Sequence, residues 1–112
     1  MGEYTDSMSE ARSIYREAFQ HFAKGELEPA IAGYQRAIEL DENLAIAWNG
    51  LSMALAQQGN LDDAIAAAHR LVELEPEDAL SHTNLSRLLQ QKGLIPEAEE
   101  AMAVATRLQM NP

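Results

Sequence analysis

The side chains that most often do chemistry in proteins are sparse in this sequence and stand far apart. His21, His69 and His82 are too scattered to predict a metal site, because zinc is held by three or four converging ligands. We expect structural histidines, since His21 and His82 occupy inward-facing helix positions. The sequence has no nucleophile elbow, Gly-rich phosphate loop or paired-carboxylate pattern. It therefore predicts no catalytic residue, no metal and no cofactor.

The charge of the chain narrows the classes of partner. Acidic residues outnumber basic ones by 18 to 8, which gives a formal net charge of −10. Binding to phosphates needs clustered Lys and Arg, so we expect neither a nucleic acid nor an anionic membrane as partner. Acidic clusters at residues 62–63, 73–78 and 97–100 lie mostly near predicted helix ends, where capping and solvation explain them. A site for a basic partner is the alternative interpretation.

The expected compartment follows from residue usage. The chain contains no cysteine, which excludes disulfides, thiolate chemistry and cysteine-based zinc sites. Residues 1–13 show neither the basic nor the apolar region of a signal peptide. No apolar run approaches the roughly 20 residues that a membrane-spanning helix needs. We therefore expect a cytoplasmic protein.

An internal repeat organises the chain. A short segment that begins with glycine occurs at residues 25–31, 59–65 and 93–99, so successive copies start 34 residues apart. Other columns of the sequence keep the same spacing. A fixed repeat of this length is the signature of helix pairs that stack and bury a continuous core. The sequence therefore predicts a solenoid built only of helices.

Apolar residues at helical spacing between the turn signals predict six helices and no strand. Gly25, Gly59 and Gly93 are expected to end helices in turns that require a left-handed backbone. The predicted helix starts are Ser7 with Glu10 as a capping box, Glu28 before Pro29, the segment 41–43 with the acids Asp41 and Glu42, Asp62 as an N-cap, the segment after Pro76, and Pro96.

The columns of the repeat resemble those of the tetratricopeptide repeat. The residues that carry the resemblance are Trp48, Leu51, Gly59, Ala64, Ala68 and Pro76, and three copies in register cover roughly residues 9 to 112. The resemblance implies an all-α, right-handed superhelical α-solenoid of three helix–turn–helix repeats with six helices. We expect a lead-in at 1–10 and repeats at 11–44, 45–78 and 79–112.

Two features of the columns have a physical explanation of their own. Small residues at Ala30, Ala64 and Ala98 are expected to let the two helices of each pair approach closely. Trp48 is expected to fill the space between neighbouring repeats.

Polar residues replace apolar ones at both ends of the array, as solenoid ends require. Glu17 stands where Leu51 and Leu85 stand later, and Glu99 and Thr106 replace apolar residues in the last helix. We interpret this pattern as an array that is complete at three repeats. Some apolar residues of the last helix remain candidates for homo-oligomerisation: Met102, Val104, Leu108 and Met110.

The resemblance also implies that a partner peptide or helix binds in a concave groove lined by the first helix of each pair. The positions that correspond to this face are Arg12, Tyr15, Phe19, Phe22, Ile46, Asn49, Met53, Ala56, Leu80, Thr83, Arg87 and Gln90. Such a groove suits an extended or helical segment with apolar anchors. The alternative is that the three aromatic residues only pack within the first repeat.

A subset of the family holds chaperone C-termini with a clamp of Lys, Arg and Asn. The clamp positions here hold Tyr15, Phe19, Gly50 and Leu80, and only Asn84 agrees. Because carboxylate recognition needs the missing cations, we do not expect this clamp.

The resulting prediction is a non-enzymatic module that binds a protein or peptide partner. Two alternatives stay open at the level of the sequence. One is a self-assembling, homo-oligomeric scaffold, and the other is a small acidic chaperone for a dedicated client.

Overall fold

The computed structural model describes the backbone of residues 3–111 and the side chains of residues 8–111. This part of the chain forms six α-helices and no strand, as predicted. The helices are α1 (Glu3–Ala23), α2 (Leu27–Leu40), α3 (Ala45–Gln58), α4 (Leu61–Leu74), α5 (Ala79–Lys92) and α6 (Ile95–Met110).

The helices stack in the order of the sequence. Each one packs mainly against the helices before and after it, and α1 also contacts α3. The stack measures 43 × 31 × 19 Å, and its shape is that of the predicted α-solenoid. The boundaries of the three repeats within it stay a prediction.

The glycine turns are confirmed. Gly25, Gly59 and Gly93 have φ angles of +79°, +94° and +90°, in the left-handed region. Each follows the last residues of the first helix of a pair, where a side chain would strain the backbone.

Two predicted helix starts are wrong. The first helix begins at Glu3, so Ser7 lies inside it and is not an N-cap; residues 3–7 contain no Gly or Pro that would stop the helix earlier. The cap of α4 is Asn60 and not Asp62, because the Asn60 side chain accepts a hydrogen bond from the Asp63 N–H at 3.4 Å. Asp62 instead lies in the first turn, where the helix dipole favours a carboxylate.

The two helices of each pair meet at small side chains, as predicted. Ala30, Ala64 and Ala98 are fully buried. In the second and third pairs a serine hydroxyl crosses the contact. Ser52 Oγ donates to the Ala64 carbonyl at 3.0 Å, and Ser86 Oγ donates to the Ala98 carbonyl at 2.7 Å. Both hydroxyls are buried and satisfied, so the close approach carries no polar penalty.

Equivalent positions of the second and third repeats hold Trp48 and His82, and their rings make the same hydrogen bond. Trp48 Nε1 donates to the Glu42 carbonyl at 2.8 Å, and His82 Nε2 donates to the Pro76 carbonyl at 2.8 Å. The Trp48 ring is half-buried against the central core. His82 is buried, as predicted, and the bond gives it a structural role.

The prediction that His21 faces inward is wrong. Its side chain is 44% exposed, and its Nδ1 donates to the Glu26 carboxylate at 2.7 Å. This hydrogen bond lowers the pKa of Glu26. The ring lies near the end of α1, and the turn that follows places the Glu26 carboxylate within hydrogen-bonding distance. The histidine therefore stabilises the turn and does not fill the core.

The ends of the array are polar where the sequence predicts it. Glu17, Glu99 and Thr106 are all exposed. The last helix nevertheless leaves Met102 39% exposed and Met110 75% exposed. Apolar surface therefore remains on α6.

The crossing of α1 and α2 is tight enough to test by adding one methyl group. A Cβ at Gly33 would lie 2.7 Å from the Ala18 Cβ. We expect Gly33→Ala to lower the free energy of unfolding by about 1–3 kcal/mol through overpacking. Helix propensity alone would change it by about 1 kcal/mol in the opposite direction. Urea unfolding followed by circular dichroism measures the difference.

Ala32→Gly is the matched control, because Ala32 is an exposed residue of the same helix. This substitution measures the effect of helix propensity on stability and leaves the contact between α1 and α2 unchanged. A Gly33→Ala variant that is as stable as the wild type, or more stable, would show that the two helices are not in close contact.

The buried phenol of Tyr34 predicts a loss of stability at alkaline pH. Tyr34 is 1% exposed, and its ring centroid lies 5.7 Å from that of Tyr15. Burial, with a smaller effect of Tyr15, raises the pKa of Tyr34 to about 12. The unfolded chain ionises this phenol near pH 10, about its ordinary value. The stabilisation is therefore complete below pH ~10 and is lost as the pH rises towards ~12.

Urea unfolding at about pH 9 and about pH 11 measures this loss, with Tyr34→Phe as the comparison. We expect the wild type to lose more stability between the two pH values than the variant does. Equal losses in the two proteins would show that Tyr34 is not the group responsible.

Candidate functional site

A cavity of about 460 Å³ lies between α3 and α5 and reaches α4. Its walls are formed by the first helices of the second and third repeats, which the sequence analysis assigns to the concave face. The residues that matter for its chemistry are Asn49, Met53, Leu80, Asn84, Arg87 and Gln91.

Two smaller cavities extend this space towards the turns between repeats. One of about 120 Å³ shares Asn49 and Leu80 with the large cavity. The other, of about 290 Å³, reaches Arg12 and shares Ile46 and Glu75 with the cavity of about 120 Å³. The three cavities therefore form one continuous depression, which we call the groove.

The groove contains a chain of polar groups that joins two repeats. Asn84 Nδ2 donates to Asn49 Oδ1 at 3.4 Å, which connects α5 to α3. Arg87 Nη1 lies 3.5 Å from Asn84 Oδ1 and donates to it. These contacts orient the amides and the guanidinium beside the apolar part of the groove, where they can bind the backbone of a bound segment.

The apolar part of the groove is exposed to solvent. Ile46 is 42% exposed, Met53 45% and Leu80 63%. Isolated exposed apolar residues are common, but a contiguous set in a concave surface indicates an interaction site. The other large, exposed apolar side chains of residues 8–111 are Phe19, Leu94, Ile95, Met102 and Met110.

Comparison with known families identifies the repeats. The family model described as Tetratricopeptide repeat matches residues 51–111, more than half of the chain, and a model described as TPR repeat matches residues 20–59. The chain belongs to the tetratricopeptide repeat family. No curated protein matches it.

Solved structures share the tetratricopeptide fold of this chain. A crystal structure of MamA is 26% identical with a TM-score of 0.86, and the match covers 89% of this chain and 58% of that one. The second TPR of Spaghetti (RPAP3), bound to the HSP90 peptide SRMEEVD, is 20% identical with a TM-score of 0.87, covering 96% and 99%. The translocator chaperone SycD of Yersinia enterocolitica is 25% identical with a TM-score of 0.83, covering 90% and 76%.

This chain spans 58% and 55% of the two MamA chains that it matches. The similarity to the second TPR of Spaghetti, at 20% identity, is a similarity of fold.

The tetratricopeptide groove brings together about half of the residues that the sequence analysis assigned to it. Those that line it are Arg12, Ile46, Asn49, Met53, Ala56, Leu80 and Arg87. Thr83 is half-buried, and its Oγ1 donates to the Ala79 carbonyl within its own helix at 3.1 Å. Gln90 is exposed and does not line the three cavities.

Of the three aromatic residues of the first repeat, two agree with packing inside the repeat and one is available to a partner. Tyr15 and Phe22 are partly buried and pack against the central core, as the packing alternative predicts. Phe19 is 51% exposed, and its ring stacks on Tyr15 with centroids 6.3 Å apart. Phe19 is thus the aromatic residue of this face with the most surface available to a partner.

The residues of α5 that line the large cavity include three that the sequence did not predict. Asn84, Leu88 and Gln91 line the large cavity, although the analysis assigned Thr83 and Gln90 to it. Helical spacings of four, eight and eleven residues from Leu80 would have selected this stripe. In the sequence, Asn84 stands out only as the one position that agrees with the family's clamp.

The groove has an acidic edge beside the turns between repeats. Asp41, Glu75 and Asp78 line its two smaller cavities. Asp41 Oδ1 accepts from the Asn43 N–H at 3.1 Å, and Asp78 Oδ1 accepts from the Leu80 N–H at 3.2 Å. These bonds fix two of the carboxylates in place at the rim.

No three His, Asp or Glu side chains within residues 8–111 come together as a metal site. The lowered pKa of Glu26 and the raised pKa of Tyr34 have structural causes outside the groove. None of the helices in residues 3–111 combines the length and apolarity needed to cross a membrane.

Proposed function

We propose that this tetratricopeptide repeat chain is a non-enzymatic interaction module that holds a segment of a partner protein in the groove. The observation that carries the proposal is the exposure of Ile46, Met53 and Leu80 along one continuous depression. Exposed apolar side chains in a concave surface gain free energy when a partner covers them. None of the three is needed to fill the core of the chain.

The groove has the composition of a peptide site. Its largest cavity, of about 460 Å³, falls within the range of ligand pockets, about 300–1,000 Å³. Met53 and Leu80 supply apolar contacts for anchor side chains, and Asn49, Asn84 and Arg87 supply donors and acceptors beside them. Apolar anchors give affinity, and the polar groups fix the position of the bound backbone.

The comparisons support a protein partner at the level of the fold. The second TPR of Spaghetti is described in complex with an HSP90 peptide, and another similar structure is the CopN–Scc3 complex, 15% identical with a TM-score of 0.88. We do not propose an acidic chaperone C-terminus as the ligand here. The positions of the Lys, Arg and Asn clamp hold Tyr15, Phe19, Gly50 and Leu80, and carboxylate recognition needs the cations of that clamp.

A second candidate function is self-assembly through the last helix. Leu94, Ile95, Met102 and Met110 are exposed in and just before α6, apart from the groove. A homo-oligomeric scaffold would cover this surface.

A chaperone for a dedicated client is the third possibility raised by the sequence. Such a chaperone would bind its client in the same groove that an adaptor uses. A cytoplasmic location stays a prediction.

Affinity capture with charged variants separates these functions. We expect Met53→Glu with Leu80→Glu to lose partners that the wild type holds, because each change places a carboxylate in the apolar part of the groove. The matched control is Met102→Glu with Met110→Glu, which adds the same charge on α6. Capture followed by mass spectrometry measures partner loss, and circular dichroism confirms that helicity is unchanged.

Retention of every partner by the groove variant would contradict the proposal. Loss in the α6 variant alone would instead favour self-assembly through the last helix, provided that the protein captured is a second copy of this chain.

A further inference from the structure

The groove carries its charges unevenly along its length. Asp41, Glu75 and Asp78 surround the two smaller cavities, next to the turns that join the repeats. Arg12 is the cation that lines the same stretch, so three carboxylates face one guanidinium. The second groove cation, Arg87, lies in the large cavity and donates to Asn84.

The carboxylates of this acidic edge take part in none of the ion pairs within residues 8–111. Those ion pairs are His21–Glu26, Arg36–Glu39, Arg70–Glu73 and Lys92–Asp62. Asp41 and Asp78 accept hydrogen bonds from uncharged backbone N–H groups, which position them without neutralising them. Glu75 is exposed at the junction of the two smaller cavities.

The acidic edge borders apolar surface directly. Ile46 lines both smaller cavities together with Glu75, and Leu80 lines one of them together with Asp78. A cation bound at the edge would therefore lie beside an apolar side chain seated on Ile46 or Leu80. A long Lys or Arg side chain fits such a place, because its methylene stem packs on apolar surface while its charge stays at the rim.

We propose that the groove selects a basic, amphipathic segment of its partner protein. Apolar side chains of the segment occupy the large cavity at Met53 and Leu80, and a Lys or Arg pairs with Glu75 and Asp41 at the acidic edge. This inference rests on the proposed function and adds the chemistry of the ligand to it. Opposite charges at the rim steer the encounter and reject acidic competitors.

The charge of the chain itself argues against a second copy as the occupant. The net charge is −10, and two copies repel each other before any contact forms. A segment such as residues 97–100, with acids at three positions, would also place carboxylates near the acidic edge. A basic partner segment meets neither obstacle.

Selection from a phage-displayed library of random peptides tests the inference. We expect the wild-type protein to enrich peptides that combine Leu, Ile, Phe or Met with Lys or Arg. The edge variant, Asp41→Asn with Glu75→Gln, should lose the enrichment in Lys and Arg and keep the apolar residues. Asp78 is left unchanged because it caps α5.

A matched variant controls for bulk charge. Glu99→Gln with Glu100→Gln removes the same two charges from exposed positions of α6. A labelled peptide from the wild-type selection, titrated by fluorescence anisotropy, should bind the edge variant about fivefold more weakly than the wild type, as two exposed ion pairs would give. The α6 variant should bind it as the wild type does, and added salt should reduce the difference.

The outcomes separate this inference from the proposed function. Enrichment of neutral or acidic peptides, or equal weakening by the edge and α6 variants, would overturn the basic ligand. The groove function would stand if Met53→Glu with Leu80→Glu still abolished binding. Failure of the wild type to enrich any peptide would overturn both. A concentration-dependent dimer in light scattering that Met53→Glu with Leu80→Glu abolishes would assign the groove to a second copy.

Discussion

The two helices of each repeat approach each other closely, and the other features of the solenoid follow from this contact. Ala30, Ala64 and Ala98 are fully buried at these contacts, and serine hydroxyls bond across two of them. Small residues let the helix backbones come together without cavities or overpacking. Because small residues make this contact, the larger apolar side chains on the opposite face of the first helices are not needed there.

The groove results from this arrangement, in which small residues make the helix contacts and larger apolar residues lie on the opposite face of the first helices. Met53 lies on α3 and Leu80 on α5. These helices pack against their partners through other residues, such as Ser52 and Ser86, and both side chains remain exposed. The turns between repeats contribute acids that serve first as helix caps, as Asp78 does for α5. The same carboxylates then border the groove. Capping and ligand selection are thus compatible uses of one residue, since the donor of the cap hydrogen bond is an uncharged backbone N–H.

The sequence predicts the helices and turns of this chain well because each position of the repeat occurs three times. Gly59 and Ala64 have the roles assigned to them for this reason. The site is predicted less completely, because helix rotation decides which residues face a cavity. Asn84 lines the groove, and its neighbour Thr83 bonds to its own helix instead. The exposure of His21 was missed because its partner comes from a turn, where no periodicity applies.

The proposed function requires that a partner contacts this chain through the groove. Two variants of this chain test this contact, one with a photo-crosslinking amino acid in place of Leu80 and the other with it in place of Met110. Both positions are exposed, at 63% and 75%, so both can carry the probe without disturbing the core. We expect crosslinks to a partner protein from position 80 and none from position 110. Crosslinks from position 110 alone would contradict it and would place the interaction on the last helix.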